Sequence, residues 1–293
     1  MKKAFIQLHI AVFLAGFTAI LGKLITLNEG LLVWYRLLIT AITLALILFF
    51  KKEIEILSFR NSVKMFFIGS IVALHWVSFY GSIKYSNISV SLTCLSAIGF
   101  FTAIVEPLIM KRKIDFFEIF LGLLAIAGIY LIFDFYPEYK LGILFGIVSA
   151  LLASLFPIFN KNLLKKYSPK TVTLYEMCGG FLALTIIIPF YLKLFPAKYY
   201  LPNATDWMWL LILAWFCTVY SFILQLNALK KISPFTANLT YNLEPIYGII
   251  LAFIIFHENK FLGSAFYYGL SLILLAVIIQ TIRVIVRLRK SKG

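Results

Sequence analysis

Charged residues are scarce in this sequence: Asp, Glu, Lys and Arg together make up 13% of its 293 residues, and only 12 of them are acidic. Hydrophobic residues make up 62%, and the mean hydropathy is +0.97. This composition excludes an ordinary soluble domain and predicts a protein whose bulk lies in lipid. The net charge of +15 would suggest a nucleic-acid partner in a soluble protein. Here we expect the basic side chains to face the membrane surface, with the lipid bilayer as partner and no nucleic acid.

Cysteine and histidine are also rare, with three of each. The cysteines lie in apolar stretches without a C-x-x-C pair, and the histidines are scattered over different predicted helices (Cys94, Cys178, Cys217; His9, His75, His257). A membrane-embedded enzyme would show clustered His, Asp and Glu, or a G-x-S-x-G segment. We therefore expect no disulfide, no metal, no cofactor and no enzymatic activity. A G-x-x-x-x-G-K-[ST] loop is absent too, which excludes ATP-driven pumping by this polypeptide alone.

Ten apolar segments are each long enough to cross a hydrocarbon core about 30 Å thick, for which a helix needs about 20 residues. They lie approximately at 4–22, 31–50, 63–83, 88–110, 116–134, 141–160, 171–193, 207–229, 234–256 and 260–284. They are continuously apolar and about twice the length of a tilted membrane strand, so they predict helices and not a β-barrel. The expected fold is an all-α polytopic membrane protein with ten transmembrane helices.

The basic residues predict the orientation of these helices. With the N-terminus in the cytoplasm, 20 of the 27 Lys and Arg residues fall in inner loops, six fall in outer loops, and Arg36 lies within a span. This bias predicts a multi-pass protein of the cytoplasmic (inner) membrane with both termini in the cytoplasm. The start of the chain is similar to a signal peptide, but no A-x-A cleavage site follows it, so we interpret residues 4–22 as a retained first helix.

The sequence contains an internal repeat. A shift of 147 residues superimposes the third to fifth predicted helices on the eighth to tenth, and pairs such as Lys84/Lys231, Ser86/Ser233 and Thr93/Thr240 coincide. A shift of 140 places Tyr35-Arg36 on Tyr175-Glu176. We predict two five-helix repeats, residues 1–137 and 138–293, and the second is inverted in the membrane because five is odd. Inverted repeats place a binding site at their interface near the midplane, and rocking opens it alternately to either side.

These features resemble the drug/metabolite transporter superfamily, in particular its ten-helix EamA-type members. The resemblance covers nearly the whole chain and is carried by Trp34-Tyr35-Arg36, Gly81-Ser-Ile-Lys-Tyr-Ser86 with Asn227-Ala-Leu-Lys-Lys-Ile-Ser233, Leu243-Glu-Pro245-Ile-Tyr, and His257-Glu258-Asn-Lys with Gly269. It implies a carrier of amino acids, nucleobases, sugars or other small metabolites. The first repeat departs from the family pattern at Lys111 and at Ile98, where a proline is common, so we expect no proline hinge in the fourth helix.

Four ionisable side chains fall well inside the predicted spans, where each costs a few kcal/mol unless it faces a cavity or a partner: Arg36, His75, Glu176 and Glu244. Glu244 lies near the midplane and is the strongest candidate for substrate binding. On a continuous ninth helix it shares a polar face with Thr240, Tyr241, Tyr247 and Gly248. The alternative is a protonated Glu244 that only stabilises the packing of a neighbouring helix.

Further substrate-binding candidates are His75 and Trp76 on the third predicted helix, and Tyr220 and Gln225 on the eighth. A lone buried histidine is also a common packing residue. Arg36 and Glu176 are equivalent positions of opposite charge, at depths too different for a direct ion pair. We treat them as coupling or structural charges. Arg36 would reach the outer surface or contact an anion, and Glu176 would reach the lysine-rich inner loops or have a functional role.

The function expected from these observations is that of a secondary transporter, a metabolite exporter that moves a small molecule across the cytoplasmic membrane by alternating access. Coupling to protons through Glu244 is a hypothesis within this expectation. The alternatives are a flippase for lipid-linked substrates with the same fold, a membrane-embedded enzyme and a channel. The expected partner is a small-molecule substrate, and the expected assembly is a monomer or a homodimer.

Overall fold

The computed structural model describes residues 2–111, 113–135, 137–241 and 243–290, and all regular secondary structure in these residues is helical. The α-helices are α1 (Lys2–Leu24), α2 (Glu29–Phe50), α3 (Phe59–Tyr85), α4 (Ile88–Leu95), α5 (Ile98–Met110), α6 (Phe116–Phe135), α7 (Lys140–Leu163), α8 (Pro169–Leu194), α9 (Ala204–Ala214), α10 (Ser221–Leu229), α11 (Pro234–Tyr241), α12 (Glu244–Phe256) and α13 (Ser264–Lys290). A π-helical turn, Trp215–Tyr220, joins α9 to α10.

Within the described ranges, seven helical segments are long and apolar enough to cross a membrane. Shorter apolar helices lie in the remaining three predicted spans, at Phe116–Ile132, Glu244–Phe256 and Ser264–Ala276. The predicted all-α polytopic membrane fold is therefore confirmed. The span boundaries deduced from the sequence agree with the helix ends to within a few residues, because charges and turn residues mark where the chain leaves the apolar region.

The fourth and ninth spans are each broken at the same position of the repeat. In the fourth span the Ser96 amide donates to the Thr93 carbonyl at 3.1 Å, and in the ninth the Leu243 amide donates to the Thr240 carbonyl at 3.1 Å. These are three-residue bonds in place of the four-residue bonds of an α-helix. Both threonines also donate their hydroxyls to the carbonyl four residues earlier, which is known to bend helices.

The fourth span has no proline hinge, as Ile98 predicts, but the absence of a proline does not keep the span continuous. A break forms there without proline, since α4 ends at Leu95 and α5 starts at Ile98. Pro245, the repeat equivalent of Ile98, lies in the first turn of α12, where its missing N–H is tolerated. The threonine hydroxyl bond to the carbonyl four residues earlier is present at both breaks, whereas a proline is present at only one of them.

The most extensive helix contacts join one half of the chain to the other: α3 with α7 and α8, α6 with α13, α2 with α8, and α1 with α10. In the two broken spans, α4 packs against α12 and α5 against α11. This crossed pairing is what antiparallel, repeat-related spans produce. Small residues allow the backbones to approach closely, as where Gly69 of α3 lies against the main chain of Glu176 and Gly128 of α6 against Gly269 of α13.

Candidate functional site

A cavity of about 70 Å³ lies between the two halves, where both broken spans meet. Its walls come from α1, α2, α3, α7, the π-helical turn, α10 and the two breaks, and it is lined by Ala15, Thr18, Arg36, His75, Trp76, Phe79, Leu95, Ile98, Ala153, Phe156, Cys217, Ser221, Phe222, Gln225, Tyr241 and Glu244. Pockets that hold small molecules usually measure about 300–1,000 Å³. The cavity in this conformation has room for a few water molecules only, so a metabolite requires it to widen.

Arg36 is the main positive charge of the cavity. It is 2% exposed, and its Nε and Nη1 atoms donate to the hydroxyl oxygens of Thr218 and Tyr80, each at 2.8 Å. Its guanidinium carbon lies 3.6 Å from the centroid of the Trp76 ring, within range of a cation–π interaction. Thr218 can accept this bond because it lies in the π-helical turn and donates its own proton to the Leu213 carbonyl. The alternative in which Arg36 reaches the outer surface is therefore wrong.

Glu244 is the negative charge of the cavity. It is the first residue of α12 and is 6% exposed, and within the described residues its carboxylate makes no hydrogen bond or ion pair. Glu244 and Arg36 line the same cavity, and Thr218 and Tyr80 accept from two of the five Arg36 N–H donors. Gln225, 4% exposed, also lines the cavity. The site thus offers a carboxylate, an amide and a guanidinium to whatever enters.

His75 is held in position by α7. Its Nδ1 lies 3.0 Å from the Ser149 carbonyl and 2.9 Å from the Ser149 hydroxyl. Because a carbonyl can only accept, the first contact requires a proton on Nδ1, which leaves Nε2 as an acceptor when the ring is neutral. The ring lies beside the rings of Phe79 and Phe156, with centroids 6.3 and 6.0 Å away. His75 is therefore a packing residue and also lines the cavity, so both interpretations of the sequence apply to its position.

The two ends of the path between the halves differ. At the predicted outer end, aromatic rings fill the space: Tyr191 stacks on Phe195 with centroids 4.9 Å apart, and Phe145 lies 5.5 Å from Phe195 and 5.7 Å from Tyr85. The Asn28 side-chain amide also donates to the Phe195 carbonyl at 3.1 Å.

At the predicted cytoplasmic end, the repeat-equivalent elements enclose a cavity of about 360 Å³. Residues 52–55, 168–170, Ile223 and Asn227 line it. Its rim carries an ion pair, with Lys170 Nζ 2.7 Å from Glu53 Oε2, and this partner holds the pKa of Glu53 below its ordinary value. Aromatic packing thus fills one end of the interface between the halves, and an open pocket, called the cytoplasmic vestibule below, lies at the other.

Comparison with known proteins identifies the chain. A model of the EamA-like transporter family matches residues 2–134 and again residues 140–282. The chain belongs to this family. A solved crystal structure with 14% sequence identity has a TM-score of 0.68 and covers 96% of this chain and 98% of its own, which shows a shared fold. This EamA-like transporter is accordingly a multi-pass membrane protein.

Its relatives carry transporter names without a stated substrate. The uncharacterized transporter YetK of Bacillus subtilis is 25% identical over 91% of this chain and 84% of its own. Uncharacterized transporters of Archaeoglobus fulgidus and Haemophilus influenzae are 28% and 26% identical, over 46% and 52% of this chain. The chain spans about half the length of these last two relatives (47% and 53%).

Several residues expected in the site lie in the cavity of this EamA-like transporter, and others do not. The cavity brings together Glu244, Tyr241, His75, Trp76, Gln225 and Arg36. The hydroxyl of Thr240 donates to Thr236, Tyr247 packs against Phe13 and Gly16 of α1, and Tyr220 is 51% exposed. The single polar face predicted for the ninth helix is therefore wrong, because the break before Glu244 divides it.

Glu176 lies outside the cavity. It is 0% exposed and accepts a hydrogen bond from the Asn160 side-chain amide at 3.3 Å. The alternative in which it reaches the lysine-rich inner loops is wrong, because α3 and α7 enclose it.

Other residues at or beside the cavity of this EamA-like transporter were not expected from the sequence. Tyr80 and Thr218 hold Arg36, and Thr18 brings α1 into the cavity wall. Tyr80 lies one helical turn after Trp76, so helical periodicity could have placed it on the same face. Thr218 had no such signal, because its position depends on the π-helical turn. Glu106, a further buried ionisable residue, lies in α5 and is 4% exposed.

Proposed function

We propose that this EamA-like transporter is a secondary carrier that exports a small metabolite, such as an amino acid or a nucleobase, across the cytoplasmic membrane by alternating access. One observation supports the proposal: the buried residue Glu244 lines a small cavity between the two halves, and its carboxylate has no hydrogen-bonding partner in the described residues. An unpaired ionisable group at that depth is costly unless a ligand or a proton satisfies it. Glu244 is thus available to a substrate or to a coupling proton.

The position of Glu244 allows a ligand bound to it to influence how the two halves are arranged. It begins α12 directly after the break in the ninth span, and the cavity also touches the break in the fourth span at Leu95 and Ile98. Discontinuous helices in equivalent positions of two inverted halves mark the binding region of many carriers. A ligand that contacts Glu244 and Arg36 together draws on groups from both halves. Its binding therefore favours one arrangement of the halves over the other.

The asymmetry of the two ends supports alternating access. Aromatic packing closes the predicted outer end, while a vestibule of about 360 Å³ opens at the predicted cytoplasmic end. In an exporter this arrangement would accept substrate from the cytoplasm. The opposite arrangement, with the outer cluster separated and the inner loops closed, would release it.

The experiment is transport by purified protein in proteoliposomes. A screen of the overexpressing host against toxic amino acids and nucleobases first supplies a substrate. Glu244→Gln is then compared with Glu138→Gln, which makes the same chemical change at an exposed position. We expect Glu244→Gln to lose flux or its pH dependence and Glu138→Gln to keep both. Unchanged flux and pH dependence in Glu244→Gln would remove Glu244 from the mechanism. Single-channel currents in a planar bilayer, or movement of lipid-linked solutes only, would contradict the carrier.

A further inference from the structure

Glu176 and Asn160 form an isolated polar pair outside the central cavity. Both are 0% exposed, and the Asn160 Nδ2 atom donates to Glu176 Oε2 at 3.3 Å. The other oxygen of each group, Glu176 Oε1 and Asn160 Oδ1, is buried and has no hydrogen-bond partner in the described part of the chain. Two acceptors without a donor are therefore present in one small buried cluster.

Among the described residues, no neighbouring charge compensates a negative charge on Glu176. From α3 it meets the backbone at Gly69, and His75, two turns further along α3, is engaged by Ser149. From α7, Lys161 follows Asn160 but donates to the main-chain carbonyls of Leu229, the last residue of α10, and Ile232.

The charged groups on the other packed elements are engaged elsewhere. From α2, Arg36 is held by Thr218 and Tyr80, and from α10, Gln225 faces the central cavity. On α8 itself, Lys170 pairs with Glu53. A buried carboxylate without a charged partner carries a large desolvation cost.

A single proton shared between Glu176 Oε1 and Asn160 Oδ1 would give both unpartnered oxygens a hydrogen bond. A carboxylic acid and a primary amide pair side by side: the amide N–H donates to one carboxyl oxygen, and the acid O–H donates to the amide oxygen. The first of these bonds is present between Asn160 and Glu176, and the two unpartnered oxygens are the atoms that the second bond would join. We propose that Glu176 and Asn160 form a proton-binding site, in which the proton on Glu176 Oε1 is donated to Asn160 Oδ1.

Release of this proton requires water. On release, the O–H bond of the Glu176 carboxyl breaks, the proton passes to water as hydronium, and the carboxylate must be hydrated. Tyr175, the preceding residue on α8, donates its hydroxyl to the Glu55 carbonyl at 3.1 Å, in the loop that lines the cytoplasmic vestibule. Because Tyr175 bonds to this loop and directly precedes Glu176, a movement of the loop would be transmitted through Tyr175 to the proton-binding site. This inference rests on the proposed carrier function, to which it adds a coupling ion and a site separate from Glu244.

The first test needs no substrate. Infrared difference spectra of purified protein at neutral pH compare wild type with Glu176→Gln, and with Glu138→Gln as the matched control. We expect wild type to show a C=O stretching band of a protonated carboxylic acid that Glu176→Gln lacks and Glu138→Gln retains. Asn160→Ala should shift that band, because its hydrogen bonds change. A spectrum in which Glu176→Gln removes only a carboxylate band would overturn the proposal. The Asn160→Ala shift provides the test if Glu176→Gln does not fold.

The second test addresses coupling, in proteoliposomes with the substrate found by the screen. We expect Glu176→Gln to retain substrate exchange at equal pH but to lose the acceleration by a pH gradient. Full acceleration in Glu176→Gln would overturn the coupling role. If wild type transports no solute while the infrared band is present, the carrier function fails and the proton site stands.

Discussion

Tyr35 and Tyr175 occupy equivalent positions of the two repeats, and each donates its hydroxyl proton to a main-chain carbonyl in the loop that follows the other's helix. Tyr35 of α2 reaches the Tyr200 carbonyl after α8 at 3.2 Å, and Tyr175 of α8 reaches the Glu55 carbonyl after α2 at 3.1 Å. The antiparallel pair α2 and α8 thus carries one such hydrogen bond at each end. We call them the outer and inner tyrosine bonds, by the predicted orientation.

Tyr35→Phe and Tyr175→Phe should shift the conformational equilibrium in opposite directions. Tyr35→Phe loses one hydrogen bond to a loop, and Tyr175→Phe loses two, because its hydroxyl also accepts from the Leu57 amide at 3.4 Å. One side-chain hydrogen bond in a membrane protein is worth about 0.6 kcal/mol, or roughly threefold in an equilibrium constant. Cys217 lines the central cavity and serves as a reporter once Cys94 and Cys178 are replaced by alanine. In sealed vesicles of known orientation, we expect Tyr35→Phe to label Cys217 faster from the outer side.

For Tyr175→Phe the faster labelling should come from the cytoplasmic side. Tyr220→Phe, at an exposed position away from the cavity, is the control and should leave both rates unchanged. Equal effects of the two variants on the same side would show that the bonds do not belong to opposite ends of the path.

Gly69→Ala should destabilise the protein strongly. A Cβ atom at Gly69 would lie 1.9 Å from the main-chain oxygen of Glu176, so α3 and α8 would have to separate. Overpacking of this kind costs about 1–3 kcal/mol and occasionally more. The measurement is the melting temperature in detergent. Gly81→Ala is the matched control on the same helix, because its Cβ would meet only the Phe145 ring at 3.3 Å, which can move. Equal melting temperatures for the two variants would contradict the close helix contact.

Glu258→Gln should weaken the predicted outer end. The buried Glu258 carboxylate accepts from the amides of Ile88 and Ser89 at 3.1 and 2.9 Å, from the Ser89 hydroxyl at 2.7 Å, and from Lys23 Nζ at 2.7 Å. Hydrogen bonds to a charged group contribute about 1.5–3 kcal/mol each, so we expect a lower melting temperature. Lys23→Met should have a smaller effect, since the Lys23 side chain is 36% exposed. A larger loss from Lys23→Met would show that the ion pair, not the capping of α4, dominates.

Arg36→Lys should abolish transport even though it keeps the positive charge. A lysine ammonium lacks the planar fork with which Arg36 reaches Thr218 and Tyr80 while its guanidinium faces Trp76. One buried hydroxyl then loses its partner, at a cost of about 1–3 kcal/mol. Flux in proteoliposomes and the melting temperature are both measured. Arg60→Lys, at an exposed position, is the control. Wild-type flux in Arg36→Lys would show that charge alone suffices.

The fold followed from the sequence more completely than the site did. Span length and the loop charges depend on local composition, so the ends of the spans were predictable to within a few residues. The break in the fourth span was not, because neither Ser96 nor Ala97 is a conventional helix breaker. It could have been deduced only by combining Thr93/Thr240 with the repeat.

The site was predictable where polarity in lipid is itself the signal, as for Arg36, His75 and Glu244. It was not predictable where position depends on tertiary geometry. Thr218 contacts Arg36 because the eighth span contains a π-helical turn. Tyr247 lies outside the cavity because it packs against Gly16 of α1. Neither fact can be read from one helix alone.

The extensive packing of one half against the other has a consequence for how the protein is made. When the first five helices enter the membrane, the surfaces around Gly69 and Gly128 still lack the helices they will contact, and Arg36 lacks Thr218. At that stage of synthesis, Arg36 therefore lies in the membrane without the hydrogen bond that Thr218 later provides. Gly128 meets Gly269 only once α13 is inserted, so the contacts that bring the two halves together form after helices of both halves have entered the membrane.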